Sequence, residues 1–183
     1  MLQNQSHNTA LGSIVAGDQH NHYPVSSKSH IAVLYEQFKA ERALGSAEAS
    51  GVIEDLQHYL DRPAKQMIRS LAEKLTVSGR VNLIPTAEEA KERAMKRIVR
   101  FQSSKSAQEI FAYVLGDLHT RFTLRIAPLI ARGSSRESVD EAIYDDVVLP
   151  IANLMEPSEL GLNSSQVFAL LFYLAGNCHV QWD

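Results

Sequence analysis

The run Val167-Phe168-Ala169-Leu170-Leu171-Phe172-Tyr173-Leu174-Ala175-Gly176-Asn177-Cys178-His179-Val180-Gln181-Trp182-Asp183 begins as a helix that is apolar on almost every side. Val167, Leu170, Leu171 and Leu174 recur at i, i+3, i+4 and i+7, and Phe168, Phe172 and Tyr173 fill the remaining arcs. Such a helix has to be enclosed by other elements. Gly176 stands where a glycine in the left-handed region closes a helix. The residues after it are not those of a frayed end, because the only Trp and the only Cys of the chain fall within the last six positions. A tail of this kind is either docked into the core or pressed on a partner.

The enclosing elements are helical as well, and the pattern runs back to residue 29. Ser29 or Ser27 caps a helix bearing Ile31, Leu34, Tyr35 and Phe38, which ends near Gly45. Ile53, Leu56, Tyr59 and Leu60 mark a second helix stopped by Pro63. Pro63 also suits the first turn of a third helix, carrying Met67, Ile68, Leu71 and Leu75 and ended by Gly79. Arg80 to Pro85 reads as a connector, and Thr86 with Glu89 as a capping box opening a helix with Ala90, Ala94, Ile98 and Phe101. Lys105 to Arg132 is the longest helical stretch; its wide stripe of Ile110, Phe111, Val114, Leu115, Leu118 and Phe122 predicts a central position, with a kink at Pro128. Ser134 and Glu137 predict a further capping box, before a helix with Val139, Ile143, Val147, Val148, Ile151 and Leu154 and a second kink at Pro150. Asn163 or Ser164 caps the last helix. The fold class is therefore all-α, a bundle of about seven helices over residues 29–183.

Residues 1–28 differ: they are rich in Asn, Gln, His, Ser and Gly. Ile14-Val15-Ala16 is a short β-prone run between Gly12 and Gly17. A single strand is unstable alone and recruits a second edge. This segment is expected to be an extended oligomerisation arm, with Ile14, Val15, Gly17 and Asp18 making a homo-oligomer.

Composition narrows the class. The 183 residues suit one sizeable core, and 45% hydrophobic residues fit a globular chain. A net charge of −3 gives no global attraction to nucleic acid or anionic lipid. One cysteine excludes an internal disulfide and fits a reducing cytoplasm. No signal peptide is visible, and the longest apolar run falls short of the roughly 20 residues needed to span a bilayer.

The ending Leu171-Phe172-Tyr173-Leu174-x-Gly176-Asn177-Cys178-His179-Val180-x-Trp182 resembles the C-terminal domain of bacterial ABC-three-component conflict systems. Gly12-Ser13-Ile14-Val15-Ala16-Gly17-Asp18-Gln19 and the run from Phe101 to Tyr113 are similar to the same family. The resemblance implies a part in defence against phage and other invasive elements, in which an ABC-type ATPase is coupled to an effector such as a nuclease or protease. In the family such a domain can follow an N-terminal effector. Here only about thirty residues precede the helical body, too few for an enzyme domain.

The candidate chemistry is sparse. Asp18, His20 and His22 offer a carboxylate and two imidazoles, yet no fourth ligand lies near, and no metal or other cofactor is assigned. Cys178 and His179 are adjacent, and adjacent side chains do not ordinarily converge, so Cys178 reads as a small buried hydrophobe. His179, Asn177 and Trp182 read as residues of tail docking or partner recognition, with the indole N–H expected on a carbonyl. The sequence pairs Asp145-Asp146 and Glu88-Glu89 diverge by about 100° on a helix and share no proton. Arg93, Lys96, Arg97 and Arg100 form a basic cluster that could meet phosphate. No Gly-rich nucleotide loop is present, so the chain does not read as the ATPase. The expected function is a non-catalytic adaptor, scaffold or sensor subunit that links the ATPase and effector. The alternative is a nucleic-acid-binding or sensing module built on residues 91–100.

Overall fold

The computed structural model describes residues 29–45, 51–63, 69–156 and 159–183. The arm over 1–28, with Ile14, Val15, Gly17, Asp18, His20 and His22, lies outside the described residues, as do Met67 and Ile68. All regular elements among the described residues are helical. α1 spans His30–Leu44, α2 spans Glu54–Leu60, α3 spans Leu71–Val77 and α4 spans Ile84–Arg100. α5 covers 105–131 as an α segment Lys105–Arg121, a π-turn Phe122–Ile126 and a second α segment Ala127–Ala131. α6 covers 136–154 in the same way, as Arg136–Ala142, the π-turn Ile143–Val148 and Leu149–Leu154. α7 spans Ser164–Gly176.

Local chemistry sets most boundaries. Ser29 accepts from the Ala32 N–H and Gly45 takes φ 62°, so α1 starts and stops as expected. Asn163 accepts from Gln166 N at the head of α7. Three starts differ from expectation. α3 begins only at Leu71, because Ser70 and Glu73 form a reciprocal capping box there; Pro63 lies outside any helix. Thr86 and Glu89 form no box, because a 3-10 turn over Val81–Leu83 runs into α4 and the helix has begun before Thr86. The cap of α6 is Ser135, one residue after Ser134, accepting from Ser138 N.

The two prolines are absorbed by π-turns. A helical proline leaves the carbonyl four residues earlier without its N–H partner. For Pro150 that carbonyl is Asp146, and Arg121 Nη1 donates to it at 3.2 Å. Pro128 and Pro150 each follow directly on a wide turn, closed by Ala127 N to Phe122 O and by Leu149 N to Tyr144 O. The two wide turns also pack on each other.

α5 is central, in contact with α1, α2, α6 and α7. α7 lies along α4 in the largest helix–helix contact of the bundle. Nine of its residues, from Val167 to Gly176, are buried. Gly176 permits this approach: a Cβ there would sit 2.5 Å from Lys91 Cδ. Gly176 is itself the last helical residue and does not supply the left-handed turn; Cys178 does, at φ 65°. Cys178 N reaches Ala175 O at 3.2 Å and His179 N reaches Leu174 O at 2.9 Å, the paired bonds of a Schellman motif.

Gln108 ties the α1–α2 side to α5. It is fully buried, accepts from Ile53 N at 2.7 Å, and donates to Gly51 O at 2.9 Å and Gln102 O at 2.5 Å. Gln108→Ala leaves one half-buried donor and two carbonyls without this partner and empties a buried side-chain site, and is expected to destabilise by roughly 1–3 kcal/mol. Urea unfolding followed by circular dichroism checks this, and a loss under ~0.5 kcal/mol would refute the tie.

Candidate functional site

Two sites gather the sequence-predicted residues. The first is the tail. Lys74 lies on the buried stripe of α3 between Leu71 and Leu75 and is 0% exposed. Its Nζ donates to Ala175 O at 2.5 Å and Val180 O at 3.2 Å, joining the last turn of α7 to the tail. Burial lowers its pKa, and the Cys178 thiol beside it acts the other way. Asn177 Nδ2 donates to Tyr59 O at 3.2 Å and Leu60 O at 3.3 Å. His179 Nε2 lies 2.9 Å from Asp61 O, an acceptor, so this nitrogen carries the proton. Together these residues cap the carbonyl end of α2, where the helix dipole favours donors. Cys178 Sγ points elsewhere, to Arg69 O at 3.5 Å. The thiol and imidazole of the Cys178-His179 pair are therefore aimed at different carbonyls. Arg69 binds the Asp183 carboxylate and, through Nη2, Gln181 Oε1 at 3.0 Å.

Trp182 is anchored by its ring and not by its N–H. The indole meets Phe172 edge-on at a centroid distance of 5.1 Å and lies 6.3 Å from Phe122. Its Nε1 is buried with no acceptor among the described residues, contrary to the expected carbonyl bond. The aromatic contacts fix the ring orientation, and no acceptor falls where they leave the N–H.

His179 also belongs to a ring cluster with His58 at 5.4 Å, Tyr59 at 5.3 Å and His119 at 6.1 Å. Burial lowers the pKa of His179, the Asp61 carbonyl opposes it, and the charges of His58 and His119 lower it further. Burial and then the charge of His58 lower that of His119. Both imidazoles are thereby favoured in the neutral form. Among the described residues no group of three His, Cys, Asp or Glu is placed to hold a metal ion.

The second site is a basic cleft of about 670 Å³ between α1, α4 and the loop before α7. It is lined by Arg93, Lys96, Arg97 and Arg100, the four cations expected from sequence, and by Arg42 from α1, which was not. Arg97 Nη1 donates to Leu160 O at 2.6 Å and Gly161 O at 3.2 Å, holding the loop wall in place. Arg42 lies 5.8 Å over the Phe38 ring and Arg100 lies 5.6 Å over Phe101. Among the described residues Glu159 is the one carboxylate lining the cleft, 3.7 Å from Arg42.

These two sites were unequally visible in sequence. Lys74 carried a signal that went unused, a cation at the i+3 position of an apolar stripe. Arg42 carried none, since it reaches the cleft only through the tertiary packing of α1.

Residues 70–182 match the family of C-terminal domain 9 of the ABC-three component (ABC-3C) systems. The chain belongs to this family. Membership places it in a defence system and implies partners in that system. The matched span of the C-terminal domain 9 family contains α3 to α7 and the docked tail, including Lys74, Asn177, His179 and Trp182. Arg42 and the Gly12–Gln19 stretch lie before it. Neither a curated protein nor a solved structure matches the chain. No helix among the described residues is long and apolar enough to cross a membrane.

Two predictions test the tail. Lys74→Ala strands the Ala175 and Val180 carbonyls and opens a cavity, and is expected to cost roughly 3–5 kcal/mol. Lys74→Met keeps the volume and is expected to cost less; equal stability of both variants with the parent in thermal melts would exclude the tie. For pH, the lowered values of His179 and His119 mean that the unfolded chain binds protons first as pH falls. Stability is therefore lost below about pH 6.5 and continues to fall through the folded-state values. The double variant His119→Gln/His179→Gln is expected to flatten this slope in urea titrations between pH 7.5 and 5.

Proposed function

We propose that this C-terminal domain 9 protein is a non-catalytic adaptor or sensor subunit of its defence system. Its helical body docks the ABC-type ATPase or an effector, a nuclease or protease, and its arm over 1–28 makes the homo-oligomer. The observation that carries this reading is where the tail's functional groups point. Asn177 and His179 donate to the carbonyls that end α2, Cys178 to Arg69 O, and Trp182 packs on Phe122 and Phe172. The reactive side chains of the chain's most distinctive stretch are thus buried and engaged in holding the tail rigidly to the helical body. A rigid, prepaid surface favours protein recognition, because little further ordering is needed on binding.

A second reading, a nucleic-acid-sensing module on residues 91–100, is favoured by one observation: Arg42 joins the α4 cations across a concave cleft.

The adaptor reading is tested by tagging the full chain, purifying it from its native host and measuring the mass of the complex. Recovery with an ABC-type ATPase, or with a nuclease or protease, is expected. A lone monomer would refute both the adaptor role and the arm. Deleting residues 1–24 is expected to lower the oligomeric mass while leaving the helical circular dichroism unchanged; an unchanged mass would refute the arm alone.

A further inference from the structure

The α4 cations face a wall that the helix alone does not supply. Arg42 comes from the last turn of α1, and Leu160, Gly161 and Gln166 close the opposite side. Among the described residues five cations and one carboxylate line this space, on a chain whose net charge is −3. The local field is therefore opposite in sign to the global one, and a concave wall concentrates it.

Two of the cations are held in place before any ligand arrives. Arg42 rests over Phe38 and Arg100 over Phe101, and these two rings meet edge-on at a centroid distance of 5.8 Å. The guanidinium groups are thus laid on adjoining faces of one aromatic pair, and lose less freedom on binding than free side chains would. Arg97 is committed to the Leu160 and Gly161 carbonyls and acts as a positioning residue. Burial and the like charge of Arg100 both lower its pKa, as expected where cations are crowded.

The carboxylates nearby do not neutralise this set firmly. Glu159 approaches Arg42 only to 3.7 Å, Glu89 approaches Arg93 to 3.5 Å, and the Glu92–Lys96 pair at 2.7 Å has both side chains largely exposed. Exposed pairs of this kind contribute little and yield to a polyanion. Among the described residues Arg100 has no carboxylate partner.

Four of the five cations are arginine, whose planar fork matches phosphate oxygens two at a time. The concavity of the cleft suits a strand that can bend into it, not a rigid duplex. We propose that this cleft binds the phosphodiester backbone of single-stranded nucleic acid, with Arg42, Arg93, Lys96 and Arg100 on successive phosphates. The proposal rests on the nucleic-acid reading of residues 91–100 and names its strand type and its fifth element, Arg42.

The test uses the full chain and a fluorescently labelled twelve-residue oligo(dT), with anisotropy read from 20 to 200 mM salt. A labelled 12-base-pair duplex and polyglutamate serve as comparators. Binding to oligo(dT) is expected to fall with a log–log salt slope of about −3, the ~0.7 per phosphate expected for about four contacts. Arg42→Glu/Arg100→Glu is expected to lower affinity by roughly 100-fold, about tenfold per lost contact, with unchanged thermal stability. Arg42→Lys/Arg100→Lys controls for folding and is expected to retain part of the affinity. Absence of binding at 20 mM salt would overturn both the proposal and the nucleic-acid reading. Equal or tighter binding of the duplex, with the same loss in the variants, would overturn the strand type and leave that reading standing. Binding insensitive to Arg42 would overturn the cleft. Displacement by polyglutamate at a lower charge-equivalent concentration than by unlabelled oligo(dT) would assign the cleft to an acidic protein instead.

Discussion

One buried lysine side chain ties α3 to the end of α7 and to the tail. Lys74 sits inside the core of α3, where an isolated charge would cost several kcal/mol. The cost is offset because Nζ meets the carbonyls of Ala175 and Val180, one in the last turn of α7 and one in the tail. The first lies at the negative end of a helix dipole. Fixing both carbonyls to one point sets the direction in which the chain leaves α7. The left-handed Cys178, the reach of Asn177 and His179 to α2, and the seating of Trp182 on Phe122 all follow from that direction.

What could be read from sequence was local. Ser29, Gly45 and Asn163 mark helix ends because their effect acts within a few residues of themselves. The stripe on α5 and the all-round apolarity of α7 correctly announced a central helix and an enclosed one. Capping was less legible where candidates competed: Ser70 displaced Pro63 as the start of α3, and Ser135 displaced Ser134. Gly176 was misread because glycine serves two purposes, a left-handed turn or a close approach, and here the neighbour across the gap, Lys91, decides. Lys74, Arg42 and the unpaired Trp182 N–H depend on what other helices bring near, which no periodicity records.

The two sites use charge in opposite ways. At the tail, donors are sealed against carbonyls in a low-dielectric interior, where each bond is strong and each loss is felt as instability. In the cleft, the cations are exposed, with Arg42 and Lys96 side chains 60% and 73% accessible, and their mutual attractions are weak. Both sites straddle the boundary of the family-matched span, the tail through Arg69 and the α2 carbonyls it docks on, the cleft through Arg42. The helices that precede the span therefore contribute groups to both sites as well as to the core.

The two π-turns keep one face of α5 and of α6 toward the core. Each behaves as one residue inserted into an otherwise regular helix, at a point where a proline follows within two residues. A wide turn takes up its extra residue locally, so the residues beyond it keep the face they would have in an uninterrupted helix. Ile126 accordingly stays on the core side that Phe122 occupies. Because the two wide turns pack on each other, both extra residues are accommodated at a single contact between α5 and α6.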